Sequence, residues 1–85
     1  MVEIQYTIND ELGLHARPAA HLVKKATQFQ CTIQVGTPAK MVDAKRIMGV
    51  MGLSLKQGDT LTMSFDGPDE ATAAETMKEF LAENL

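Results

Sequence analysis

Two residue types that handle phosphate stand two positions apart in Gly13-Leu14-His15-Ala16-Arg17-Pro18-Ala19. A neutral imidazole leaves one ring nitrogen free as a nucleophile. An arginine offers a permanently charged, planar fork that matches phosphate oxygens. For both to act on one group, the backbone must hold them together, and the following residues do this. Ala19, Leu22, Val23 and Ala26 recur at helical spacing and predict an amphipathic helix. Pro18 fits only in the first turn of such a helix, where its missing N–H is no loss. The helix therefore starts at about Ala16, with His15 as its cap, and Gly13 lets the chain turn sharply before it. The free N–H groups of Ala16 and Arg17 then point out of the helix. With the positive end of the helix dipole they form an anion site around His15. The chemistry this permits is the carriage of a phosphoryl group. A histidine near a helix start is more often a plain solvated cap, so local chemistry permits the site without singling it out.

The remaining elements must frame that helix start. Val2, Ile4, Tyr6 and Ile8 alternate with Glu3, Gln5 and Thr7 and predict a half-buried strand. Residues 9–14 form the loop into the first helix. That helix is predicted to end near Gln28, with Lys24 and Lys25 where the dipole favours cations. His21 lies on its polar face, reads as an ordinary surface histidine and is given no role. Cys31, Ile33 and Val35 alternate with Thr32 and Gln34 in a second strand, and Cys31 reads as a small buried hydrophobe rather than a reactive thiol. Gly36-Thr37-Pro38 is the predicted turn to a short return strand over 39–42.

A short helix is expected over 45–51. It carries Ile47, Met48, Val50 and Met51, more than one face can hold. Val50, with Leu53 beyond it, is assigned to the core. Ile47, Met48 and Met51 then lie together on the other side and are expected to be exposed. A small exposed patch with two methionines suits docking to several partners. From periodicity alone, burial of all of them is equally open.

Residues 56–59 turn around Gly58. Leu61, Met63 and Phe65 alternate with Thr60, Thr62 and Ser64 in a fourth strand. Gly67-Pro68-Asp69-Glu70 opens a final helix, with Pro68 at its first position. Ala73, Met77, Phe80 and Leu81 mark its inner face. The order βαββαβα defines an α+β open-faced sandwich, a four-stranded sheet with its helices on one face. Glu3, Gln5, Thr7, Thr32, Gln34, Thr62 and Ser64 should face water on the other.

A chain of 85 residues allows one domain with one small core. A net charge of −3 argues against a nucleic-acid partner. The single Cys31 excludes an internal disulfide, and no zinc-type Cys/His cluster stands in the chain, so neither metal nor cofactor is expected. No N-terminal apolar run reads as a signal peptide and no stretch is long enough to span a membrane. A cytoplasmic protein without membrane insertion is the expectation.

Residues 13–19 resemble the active-site signature of the HPr family, the histidine-containing phosphocarriers of the sugar phosphotransferase system. Lys45-Arg46-Ile47-Met48-Gly49-Val50-Met51-Gly52-Leu53 resembles the family's second signature in its Gram-positive form. The resemblance runs across the chain, including its length and element order. It implies an antiparallel sheet in the open-faced sandwich. It implies that Enzyme I, charged by phosphoenolpyruvate, phosphorylates His15 at Nδ1, and that His15 passes the group to the IIA domain of a sugar permease. Arg17 and the amides of Ala16 and Arg17 would stabilise the transferring group, and Ile47, Met48 and Met51 would contact both partners beside the histidine. The implied protein is a phosphocarrier rather than a stand-alone enzyme. The magnesium of the pathway belongs to Enzyme I.

The chain departs from this pattern in places. Gram-positive members carry a serine where Arg46 stands, the target of a kinase in carbon catabolite repression. Without a hydroxyl that regulation cannot act here, and a permanent cation occupies a place where phosphorylation would put about −2 of charge. Glycine is common at 54, so Gly52 and Ser54 read as a local exchange that leaves the backbone there open. Leu12 is apolar where a small polar residue is common. The catabolite-repression homologue keeps the serine and lacks the histidine, the opposite of this chain. Two other functions are open. One is a regulatory interaction module, with His15 phosphorylation as a signal to an enzyme or transcriptional regulator. The other is an α+β binding domain without phosphoryl chemistry. A monomer is expected, with a swapped dimer as the alternative.

Overall fold

A computed structural model describes residues 1–85. Seven elements follow one another: β1 (Val2–Thr7), α1 (Ala16–Ala26), β2 (Thr32–Thr37), β3 (Lys40–Asp43), α2 (Ile47–Met51), β4 (Thr60–Asp66) and α3 (Glu70–Asn84). The strands make one antiparallel sheet in the order β1-β4-β2-β3. Its register sets Met63 between Ile4 and Val35, and Phe65 between Val2 and Ile33. Strand alternation turns these side chains to one face. There they meet Leu22 and Ala26 of α1, Val50 of α2 and Met77 and Leu81 of α3, all buried. Burying a side chain such as Leu22 contributes about 1.5–3 kcal/mol. The α+β open-faced sandwich is therefore the observed fold.

Element ends differ from the sequence reading where side chains take over backbone bonds. Helix α1 stops at Ala26, short of Gln28, because the Thr27 hydroxyl donates to the Lys24 carbonyl at 2.8 Å and the chain tightens into a turn. The β2–β3 loop is only Pro38–Ala39, since Thr37 already pairs with Lys40 and Gly36 with Met41. Helix α3 begins at Glu70, with Asp69 as its cap, so Pro68 precedes the helix instead of opening it.

Asp69 explains that last shift. Its carboxylate accepts the N–H groups of Gln30 and Cys31, both at 2.9 Å, tying the start of α3 to the entry of β2. These bonds, the Gln30 one first, hold the Asp69 carboxyl below its ordinary range. Burial, together with Asp69, pushes the Cys31 thiol up to about 11, which keeps it protonated. A carboxylate depressed in the folded state stabilises fully above its unfolded pKa of about 3.9 and loses that stabilisation as pH falls through the lower folded value. Asp69→Asn should therefore lower the denaturant midpoint at pH 7. The gap between variant and native chain should close below about pH 4.

One residue of the uncovered face is not in water. Thr62 is 3% exposed and its hydroxyl has no hydrogen-bond partner. The register aligns Gln5, Thr62, Gly36 and Met41 across the sheet. Gly36 offers no side chain beside Thr62, and the half-buried Met41 of edge strand β3 lines the same hollow as Thr62. Glu3, Gln34 and Ser64 border this hollow as well, so neighbouring strands wall in a position that alternation assigns to solvent.

Candidate functional site

His15 caps α1 with an extended backbone, φ −101° and ψ −173°, and its side chain makes no capping bond. No hydrogen bond within the chain engages its ring. The helical ladder opens with the Ala19 N–H donating to the His15 carbonyl at 3.0 Å. Pro18 has no N–H, and those of Ala16 and Arg17 find no acceptor in the chain. Two free donors therefore stand at the positive end of α1 beside an unengaged, half-buried imidazole. Arg17 is exposed and enters neither ion pair of the chain.

The loop before His15 is held from two sides. The N–H groups of Asn9 and Asp10 donate to the Leu85 carbonyl at 2.6 and 2.8 Å, and that of Leu14 donates to the Leu55 carbonyl at 2.9 Å. Gly13, at φ +68°, makes this approach possible, because a Cβ there would sit 2.4 Å from the Leu55 oxygen. Asp10, His15, Arg17, Pro18, His21 and Asn84 enclose a hollow of about 220 Å³. His21 was not expected there. The signal lay in spacing, since His21 is four residues beyond Arg17 and shares its helix face. No group of three or more His, Cys, Asp or Glu side chains is placed to hold a metal.

The second stretch starts later than its sequence suggests. The Asp43 carboxylate accepts the Lys45 N–H at 2.9 Å, and Lys45 Nζ donates to the Phe29 carbonyl at 2.8 Å. Ala44 and Lys45 are thus held as a turn, closed by the Arg46 N–H on the Asp43 carbonyl, and α2 begins at Ile47 with Arg46 as its cap. Val50 is fully buried, Met48 is 80% exposed and Met51 44%. Ile47 is half-buried against the core, because it lies three residues before Val50 on the same side of the helix. The exposed apolar patch therefore rests on the two methionines. The Arg46 side chain projects into solvent, its Nε 3.7 Å from Asp43, a pair too long and exposed to add much stability. Helices α1 and α2 pack against each other.

The exchange at 52 and 54 has a conformational consequence. Ser54 is left-handed, φ +54°, while Gly52 is in ordinary helical conformation at φ −71°. The backbone retains a glycine-type bend at 54 and places a serine on it, next to the Leu55 carbonyl that holds the Gly13 loop. A left-handed L-residue costs about 1–2 kcal/mol, and a glycine in helical conformation wastes about 0.4–1 kcal/mol of unfolded-state entropy. A Cβ at Gly52 would meet only Met48 and Gly49 carbonyls, at 3.4 and 3.5 Å. Exchanging the two residues, Gly52→Ser with Ser54→Gly, should raise stability by about 1 kcal/mol, or Tm by about 4–8 °C in a thermal melt.

An open-faced sandwich whose helix start presents a free imidazole, two free amides and an arginine has the construction of a phosphohistidine carrier. The chain belongs to the HPr family: the family model described as "PTS HPr component phosphorylation site" matches residues 2–83. The phosphocarrier protein HPr of Lysinibacillus sphaericus is 49% identical over 79 residues, 93% of this chain and 90% of that protein. The crystal structure of HPr-C-His from Thermoanaerobacter tengcongensis superposes with a TM-score of 0.90 at 39% identity, covering 96% of this chain and 92% of that one. The histidine-containing phosphocarrier protein of a Mycoplasma superposes at 0.92 with 34% identity, covering 96% and 93%. The family implies partners of the phosphotransferase system, Enzyme I and IIA domains in general. No helix is long and apolar enough to cross a membrane.

Proposed function

We propose that residues 1–85 act as one domain that carries a phosphoryl group on His15, from phosphorylated Enzyme I to a sugar-specific IIA domain, in the cytoplasm. The observation that carries this reading is the unengaged His15 ring beside two unpaired amides at a helix start. A ring nitrogen, Nδ1 by resemblance to the family, forms a bond to phosphorus as the bond to the donor breaks in line. The Ala16 and Arg17 amides and the Arg17 fork meet the equatorial oxygens, over which charge spreads. The same step in reverse discharges the group to the acceptor.

Met48 and Met51, with the rim of Ile47, form the docking patch. A small, adaptable apolar patch suits brief encounters with two different partners. Charge supports the same face. Lys45 and Arg46 line one hollow with Ile47 and Met48, Asp43 being its one acid, and α1, which packs on α2, carries Arg17, Lys24 and Lys25 and no acid, although Lys24 and Lys25 also border Glu79 and Glu83 of α3. Despite the net charge of −3, cations therefore gather at the patch and at the start of α1, which suits acidic partner surfaces and fast encounter. Arg46 keeps the patch basic at a position where a phosphorylated serine would reverse it.

The test follows the group through both steps. The chain is incubated with phosphoenolpyruvate, magnesium and Enzyme I, and its intact mass is read before and after addition of a IIA domain. One acid-labile phosphate, gained and then drained to the IIA domain, is the expected result. A phosphate that is gained but never drained to any IIA domain would leave a signalling module instead of a carrier.

A further inference from the structure

His21 is the histidine that the proposed transfer leaves unused. It is exposed on α1, six residues beyond His15 and four beyond Arg17. Helical side chains lean toward the N-terminus, so a residue here covers the preceding turn, that of Arg17 and Pro18. The cavities agree with that direction. His21 bounds the 220 Å³ hollow with His15 and Arg17. It also bounds a trough of about 390 Å³ between α1 and α3, walled by Lys24, Lys25, Glu79 and Glu83. Only His21 and Asn84 belong to both, so the imidazole stands where the trough opens into the site.

We propose that His21 is a positioning residue for the phosphorylated protein, its imidazolium supplying a second mobile cation, beside Arg17, for the group held on His15. The proposal rests on the reading of His15 as the phosphorylated residue. His21 takes part in neither ion pair of the chain and in none of its side-chain hydrogen bonds, so it can turn toward the site without breaking an ion pair or a hydrogen bond. The charged groups around it are Arg17, Lys24 and Lys25 on its own helix, Asp10 on the β1–α1 loop, and Glu79 and Glu83 on α3. Cations and carboxylates are equal in number, so a phosphoryl group bearing about two negative charges is the largest change in field that His21 meets. That dianion favours the imidazolium. By linkage, a proton on His21 equally favours retention of the phosphoryl group. An imidazole ordinarily changes charge near pH 6.5, so this preference acts within the physiological range, where Arg17 is fixed. A dianion raises the midpoint of an imidazole that faces it. The extra retention is then full at low pH and is lost as pH rises through that raised midpoint.

Imidazole resonances of His21 followed by NMR from pH 6 to 8.5 test this, with and without phosphate loaded from phosphoenolpyruvate, magnesium and Enzyme I. His21 lies six residues beyond His15, about 9 Å along the helix axis, and two negative charges at that range across partly screened solvent should raise the midpoint by roughly half a pH unit. The second arm is His21→Gln, which should still accept phosphate on His15. The phosphoryl equilibrium with Enzyme I, taken as native over variant so that the donor's own pH dependence cancels, should fall about two- to threefold from pH 6 to 8. A midpoint that moves by less than about 0.1 on phosphorylation, or a ratio flat with pH, overturns the proposal and leaves His15 as carrier intact. Absence of phosphate from His15 itself would instead end the reading on which the proposal stands.

Discussion

His15→Ala should take up no phosphate from phosphorylated Enzyme I, while the native chain should take up one per molecule. The expectation is total loss rather than a fold-reduction, because the imidazole is the group to which phosphorus becomes bonded and alanine offers no nucleophile. The variant should fold normally. His15 makes no capping bond and no side-chain hydrogen bond, so the usual cost of replacing a cap by alanine, about 0.5–2 kcal/mol, is mostly absent. Its melting curve should nearly overlay that of the native chain, which makes loss of phosphate a chemical result. His21 sharpens the experiment. The chain has two histidines, and both line the same hollow. His21→Gln must therefore retain the acid-labile phosphate that His15→Ala lacks. Acid-labile phosphate on His15→Ala would move the acceptor elsewhere and sink the assignment.

How much of this was written in the chain depends on the reach of each interaction. The start of α1 is a local matter: Pro18, the apolar spacing of Ala19, Leu22 and Ala26, and Gly13 suffice to place His15 at the cap, where it stands. Strands β1, β2 and β4 are nearly as local, since alternation over six or seven residues reports which face is buried, whereas the four residues of β3 show no alternation and are placed by the hairpin turn before them. What the sequence did not disclose was set by partners far along the chain. Thr62 is buried on a central strand, in a hollow that Glu3 of β1, Gln34 of β2 and Met41 of β3 help to line. The α3 start slips to Glu70 because Asp69 serves Gln30 and Cys31, 39 and 38 residues away. His21 looks like a surface residue on α1 alone. It borders the site only because the end of α3 brings Asn84 against the same hollow. Ile47 was misplaced for a simpler reason: five residues of helix leave no clean division into faces. The serine at 54 shows the converse, a left-handed bend at a residue poorly suited to it, two positions from a glycine in helical conformation that needs no such freedom.

Arg17→Ala should slow phosphoryl uptake by about 10–100-fold at saturating Enzyme I, and the discharge to a IIA domain by a similar factor. Loss of a charge-assisted hydrogen bond to a developing anion costs about 1.5–3 kcal/mol, and each 1.36 kcal/mol is tenfold in rate. The exposure of Arg17 places the estimate toward the lower part of what a dry site would give. Two roles must be told apart, because Arg17 is also among the cations that suit acidic partner surfaces. A residue that only steers the encounter changes the second-order rate, and its effect disappears at saturation and in high salt. A residue that meets the phosphoryl oxygens keeps its effect in both conditions. Arg17→Lys separates them further. Lysine preserves the steering charge but replaces the planar fork by a point charge, so it should restore the encounter rate and leave most of the loss at saturation. Full recovery in Arg17→Lys, or an alanine defect that vanishes at saturating donor, would reduce Arg17 to a docking charge. The Ala16 and Arg17 amides would then carry the stabilisation alone, a role that Ala16→Pro tests by removing one N–H at a helix position that accepts proline.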